Sequence, residues 1–180
     1  MKTSPTQIQN SRKSATAATC LSTTAEGVET EAELEMIRKL MTCHDRLIIF
    51  YNFNYELDIL RTLAEDVPVY EWNGHQKDHN KTFEDEPRWV YLVQYISGSE
   101  AWNCIKTDAM VLYSLTYSYK NFEQAQGRID RLDTLYKTLY YYVLVSNSVI
   151  DRSIRRSLEH KEDFNERRTR EDLLSGRLEI

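Results

Sequence analysis

Apolar positions along the chain fall into short continuous runs separated by stretches with helical spacing. Arg46 to Tyr51 (RLIIFY) is a compact apolar run, the pattern of a strand buried on both faces. Val67 to Trp72, Arg88 to Tyr95 (RWVYLVQY), Asp108 to Leu115 (DAMVLYSL) and Leu139 to Val145 (LYYYVLV) also read as strands, the last aromatic and β-branched. Between and around them the period changes. Glu31 to Met41 (EAELEMIRKLM) predicts a short helix, and Phe53 to Leu63 a second, with Tyr55, Ile59 and Leu63 on one stripe. Tyr119 to Leu132 predicts a third helix and Val149 to Lys161 a fourth, amphipathic one. Residues 73–87 are polar with little pattern and suit a surface connection or a short frayed helix. Residues 1–30, rich in Ser, Thr and Ala without periodicity, predict a flexible N-terminal arm. The folded domain is then expected over 31–162, followed by a charged tail over 163–180.

Strands alternating with helices imply an α/β fold: a doubly wound, mostly parallel sheet flanked by helices. Right-handed crossovers restrict the topology to that arrangement. In such sheets chemistry gathers at the carboxyl ends of the strands. The loops that follow the third and fourth runs are therefore the places to search.

Bulk properties narrow the classes. The 180 residues fit one domain, and 41% hydrophobic content supplies a core. No apolar stretch approaches the ~20 residues of a membrane span, and Lys2 is not followed by the apolar region of a secretory leader. Cys20, Cys43 and Cys104 form no close pair, which points to a reducing compartment, the cytoplasm. A net charge of -5 does not suit a protein that coats nucleic acid unaided, so any such contact must be local.

One run carries more chemistry than the rest: Gln124-Ala-Gln-Gly-Arg-Ile-Asp-Arg131. On a continuous helix, positions i, i+4 and i+7 would place Gln124, Arg128 and Arg131 on one face. Gly127 would let another backbone approach closely. Two rigidly presented guanidinium groups suit a polyphosphate. The same pattern is also what a solvated helix face contains. About 20 residues upstream lies the loop Ser97-Gly-Ser-Glu-Ala-Trp-Asn-Cys104. Gly98 permits a tight turn there, and Ser97, Ser99 and Glu100 offer polar groups. An ordinary strand-to-helix turn with a serine cap contains the same residues.

The order of these segments resembles the C-terminal RecA-like domain (helicase C domain) of superfamily 2 and Swi/Snf-type helicases, over roughly residues 46–160. Arg46 to Phe53 (RLIIFYNF) is similar to the strand that opens that domain, and Val90 to Asn103 (VYLVQYISGSEAWN) to its fifth motif. Gln124 to Arg131 is similar to the sixth motif, and Val149 to Leu158 (VIDRSIRRSL) to the terminal helix. The GRIDR-containing stretch looks most like the phage-type members, whose compartment is the bacterial host cytoplasm. The resemblance implies that Arg131 is the arginine finger and Arg128 its phosphate-facing companion, with Gln124, Gly127, Gly98 and Glu100 around the nucleotide. Ser97, Ser99 and Asn103 would contact nucleic acid, single-stranded or duplex. Two departures stand out: Ala101 occupies a usual glycine position, and Leu132-Asp133-Thr134 replaces the glycine-containing ending of chromatin remodellers.

None of Gly27, Gly74, Gly98, Gly127 and Gly176 is followed by lysine, so these residues contain no Walker loop. ATP and Mg are therefore expected only with a partner: an N-terminal helicase domain or subunit that carries that loop. The chain alone is expected to be inactive. A second class stays open, a non-enzymatic interaction protein, phage-encoded inhibitor or helicase remnant, that docks on a host motor or nuclease. The remaining candidates are weaker. His75 and His79 share i,i+4 spacing without further ligands, so no metal site is expected. Asp85-Glu86 lies in a polar connection. The tyrosines around 113–119 and 140–142 suit either base stacking or packing. Arg152, Arg155, Arg156, Arg167, Arg168 and Arg170 are interleaved with acids.

Overall fold

The run that opens the expected series of strands becomes the middle of the sheet. In the computed structural model, which describes residues 6–10, 14–21, 26–99, 103–146 and 148–174, Leu47, Ile48, Ile49 and Tyr51 are wholly buried. The elements in chain order are β1 (Thr6–Asn10), β2 (Ser14–Leu21), α1 (Glu26–Cys43), β3 (Arg46–Tyr51), α2 (Asn54–Leu60), β4 (Val69–Trp72) and β5 (Trp89–Gln94). They continue with β6 (Ala109–Leu112), α3 (Tyr119–Gln126), β7 (Leu139–Ser146), α4 (Val149–Glu159) and α5 (Glu166–Leu174). The sheet order is β1-β2-β7-β6-β3-β5-β4. From β7 to β4 every pairing is parallel, and β2 adds in parallel to β7. Only β1 runs antiparallel, against β2.

After β3 the chain crosses over β5 to β4 and returns; it then passes β3 on the other side to reach β6 and β7. Leu34, Ile37 and Met41 of α1 and Leu57 and Leu60 of α2 pack on the face that carries Leu47, Ile49 and Leu92. Ala125 of α3 and Ile154 and Leu158 of α4 pack on the opposite face, with Ile48, Phe50 and Met110. Two covered faces leave β3, β5 and β6 no solvent side, which is why they read as continuous apolar runs. At the amino ends of the strands His44 ties the layers together. Its Nδ1 lies 3.0 Å from Asp108 Oδ1 and its Nε2 lies 2.9 Å from the Tyr142 hydroxyl.

The structure departs from the sequence reading at four places. Residues 6–10 and 14–21, expected within a flexible arm, form β1 and β2, and α1 starts at Glu26. A strand that joins an open edge does so through backbone N–H and C=O groups, which leave no apolar alternation to detect. Helix α3 ends at Gln126, six residues short of the expected end at Leu132, and α5 lies in the charged stretch expected as a tail. Finally, residues 73–87 are a packed connection. Asn73 Oδ1 accepts from the amides of His75 and Gln76, Asp78 N donates to Glu71 O, and Phe83 is buried to 1% exposure. The Phe83 ring stacks on Tyr70 at 4.0 Å and meets Trp89 and Tyr91 edge-on at 5.2 and 4.9 Å.

Phe83 therefore anchors a connection that its sequence would place at the surface. Phe83→Ala is expected to cost about 3–5 kcal/mol, the range for emptying a buried aromatic site. Urea unfolding followed by tryptophan fluorescence checks this, and a loss under 1 kcal/mol, or roughly a surface effect, would contradict it.

Candidate functional site

The residues singled out in the sequence converge on the junction between α3 and the turn after β5, in a geometry that differs from the expected one. Gly127 ends α3: its amide donates to Glu123 O at 3.1 Å, and Arg128 N donates to Ala125 O at 3.0 Å. The Arg128 carbonyl then accepts from Cys104 N at 3.2 Å, so the chain has left the helix. Gln124, Arg128 and Arg131 accordingly do not share one helix face. Gly127 is not needed for a close approach either. Its φ is -67°, and a Cβ there would meet nothing nearer than 3.6 Å.

Arg128 does not stand out into solvent as a phosphate-facing residue would. It is 7% exposed, and its Nη2 donates to the Gly98 carbonyl at 2.6 Å. Burial, and after it the nearby Arg131 charge, hold its guanidinium below the ordinary arginine range. Arg131 is exposed and forms no ion pair among the described residues. One guanidinium is thus fixed inside while a second, close enough to repel it, faces outward. Gln124 is half-buried, and its Oε1 has no hydrogen-bond partner among the described residues.

The turn that receives Arg128 is a single 3-10 turn, Ser97–Ser99. Ser97 is half-buried, and its carbonyl accepts from Trp72 Nε1 at 3.1 Å. Gly98 is required by packing: a Cβ there would lie 3.0 Å from both Phe50 Cε1 and Val93 Cγ1. Asn103 is exposed. The Ser99 side chain, Glu100 and Ala101 lie outside the described residues, so their expected roles go untouched by this geometry.

No family model matches the sequence, and no curated protein matches it. Among solved structures, the chain is similar to the C-terminal part of the Fun30 ATPase domain, with a TM-score of 0.65 and 16% identity. The fold is RecA-like. The alignment covers 81% of this chain and 54% of that structure, so the chain spans about half the length of its neighbour.

A RecA-like sheet reverses its strand order at one point, here between β3 and β6, and that point holds a second constellation. Glu56, 4% exposed, accepts at Oε2 from Asn52 N (2.8 Å), Phe53 N (2.9 Å) and Ser114 Oγ (3.0 Å). Asn52 Nδ2 donates to Ser114 Oγ and to Leu115 O, each at 3.0 Å, and Gln94 Nε2 donates to Asn52 O at 3.1 Å. A cavity of about 560 Å3 opens above this network. Asn52 and Glu56 follow the first of the expected strands, outside the loops after the third and fourth where the chemistry was expected. The available signal was a polar Asn52 at the end of an apolar strand, with Glu56 at the third position of a helix.

Other candidates take structural roles. Asp85 pairs with Lys106 at 3.2 Å, and Glu86 accepts from the Tyr70 hydroxyl at 2.7 Å. Arg155 pairs with Glu159 and Arg167 with Glu171 along their own helices. Among the described residues no group of three or more His, Cys, Asp or Glu is placed to hold a metal ion. No helix among them is long and apolar enough to cross a membrane.

The two glycines of the site separate in a simple measurement. Gly98→Ala is expected to lower stability by about 1–3 kcal/mol through overpacking against Phe50 and Val93. Gly127→Ala is expected to cost nothing measurable, since its backbone suits alanine and a Cβ there would make only ordinary contacts. Equal urea midpoints for the two variants would contradict this assignment.

Proposed function

We propose that the chain is the C-terminal half of a superfamily 2 nucleic-acid helicase or translocase, with Arg131 as its arginine finger. The observation that carries the reading is the charge arrangement at residues 128–131. Arg128 is spent inside the fold on the Gly98 carbonyl, while Arg131 faces outward beside it with no carboxylate paired among the described residues. An anion outside the chain is what such a pair attracts. The likeness to the C-terminal part of an ATPase domain supports the same assignment.

In this reading ATP, with Mg, would be bound by the Walker-loop domain and would supply the phosphoryl group that passes to water. Arg131 then places its guanidinium against the charge that develops on the transferring group. Arg128 positions rather than touches: it fixes the 127–131 turn to the 97–99 turn, so nucleotide and nucleic-acid elements move as one piece. Ser97, Ser99 and Asn103 belong to the nucleic-acid side of that piece, and Glu100 with Gly98 to its nucleotide side. The Leu132-Asp133-Thr134 ending is what supports a phage-type branch.

Ile96 precedes the Gly98 turn, and Leu132 and Leu135 follow Arg131; all three are largely exposed. These apolar residues fit a docking partner, either the Walker-loop domain or, in the inhibitor reading, a host motor.

Mixing the chain with a Walker-loop N-terminal domain should give nucleic-acid-stimulated ATP hydrolysis. Arg131→Ala should then lower kcat by about a thousandfold, and Arg131→Lys should recover little because it lacks the planar fork. Full activity in Arg131→Ala would remove the finger. Capture of an intact host helicase, with Arg131 dispensable, would favour the inhibitor.

A further inference from the structure

Eight large hydrophobic side chains lie exposed among the described residues, and four of them, Phe53, Tyr55, Tyr117 and Ile150, line the single 560 Å3 cavity at the ends of β3, β6 and β7. Such gathering marks a contact surface, since isolated exposed apolar residues are scattered. The Phe53 and Tyr55 rings stack 5.7 Å apart at 10° and form a flat aromatic wall. The cavity is also uniformly acidic. Glu33 from α1, Glu56 from α2 and Asp151 from α4 line it, and no lysine, arginine or histidine among the described residues does.

The carboxylates act together. Burial first, and then Glu56, Glu33 and Asp151, push the Tyr55 hydroxyl above its ordinary value. Glu56 and Asp151 are answered by neutral donors: the amides of Asn52, Phe53 and Ser146 and the hydroxyls of Ser114 and Ser146. Neither forms an ion pair among the described residues. Around Glu56 and Asp151 negative charge is therefore held in a half-enclosed, partly apolar space with no countercharge among the described residues, and that draws a cation.

The cation's class follows from the lining. A metal ion needs several free carboxylate oxygens, yet Glu56 Oε2 already accepts three hydrogen bonds. A nucleic-acid backbone would bring more negative charge. An organic cation with apolar flanks meets both the acids and the rings. A guanidinium also stacks on aromatic faces better than a compact ammonium. We propose that this cavity receives an arginine side chain from an apolar-flanked segment of a protein partner, stacked on the Phe53–Tyr55 wall and drawn in by Glu33, Glu56 and Asp151. The surface is separate from the Arg131 turn and does not depend on the ATPase reading.

The test is an amide NMR titration of the full chain with the acetylated, amidated peptide Ala-Leu-Arg-Leu-Ala. The signals of Phe53, Tyr113, Ser114 and Ser146 should shift saturably. The same peptide with neutral citrulline in place of arginine should bind about tenfold more weakly. Tyr55→Ala, at an exposed position, and Glu33→Gln, at a half-buried one, should each weaken the arginine peptide by at least a few-fold while leaving the rest of the spectrum in place. Absence of saturable shifts, equal binding by the citrulline peptide, or movement of these amides by a single-stranded oligonucleotide instead would overturn the proposal. The titration contains neither nucleotide nor a Walker-loop domain, so its failure and that of the ATPase reading are told apart.

Discussion

Strand β3 is the constraint on which the rest of the molecule hangs. It is hydrogen-bonded on both sides, Arg46 to Tyr51 against Trp89 to Gln94 and Leu47 to Phe50 against Ala109 to Leu112, and packed on both faces. Strand β3 and the residue after it bear on both the Arg128 turn and the Glu56 network. Phe50 closes on Gly98 and so fixes the turn that holds Arg128. Asn52, one residue past its end, organises Glu56, Ser114 and Gln94 beneath the acidic cavity. A shift of β3 by one residue would send each of these groups to the wrong face.

Polar groups near its carboxyl end are used in two opposite ways. Around Glu56 each donor finds an acceptor inside the chain, and the result is a rigid floor. Around Arg131 the charge is left outward and unanswered among the described residues. The division has a physical basis, because a buried polar network must be complete to be tolerated, whereas an exposed cation costs little to leave open.

Strands β3, β5 and β6 were legible because burial on both faces leaves an uninterrupted apolar run, as in Leu47 to Tyr51 and Trp89 to Val93. The helix ends were less so. Ile129 and Leu132 keep the apolar spacing of α3 going, although Gly127 marks where the backbone leaves the helix. Burial of Arg128 was hidden, since arginine is seldom buried and nothing in its neighbours announces the Gly98 carbonyl. The cavity was hidden for another reason. Its walls come from α1, α2, α4, β7 and the segments that follow β3 and β6, and only the spatial order of β3, β6 and β7 brings them together. The packed role of Phe83 was lost among polar neighbours, because a single aromatic residue has no period.

The first two strands carry a consequence for how the protein is handled. β2 lies along the whole of β7, from Leu139 to Ser146, and β1 shields β2 in turn. A truncated polypeptide begun at residue 31, where the apolar pattern first becomes visible, would strip that cover and bare the amides and carbonyls of an aromatic, β-branched margin. Such a margin recruits further chains. Self-association of a shortened preparation would then reflect a lost hem of the sheet rather than any native assembly.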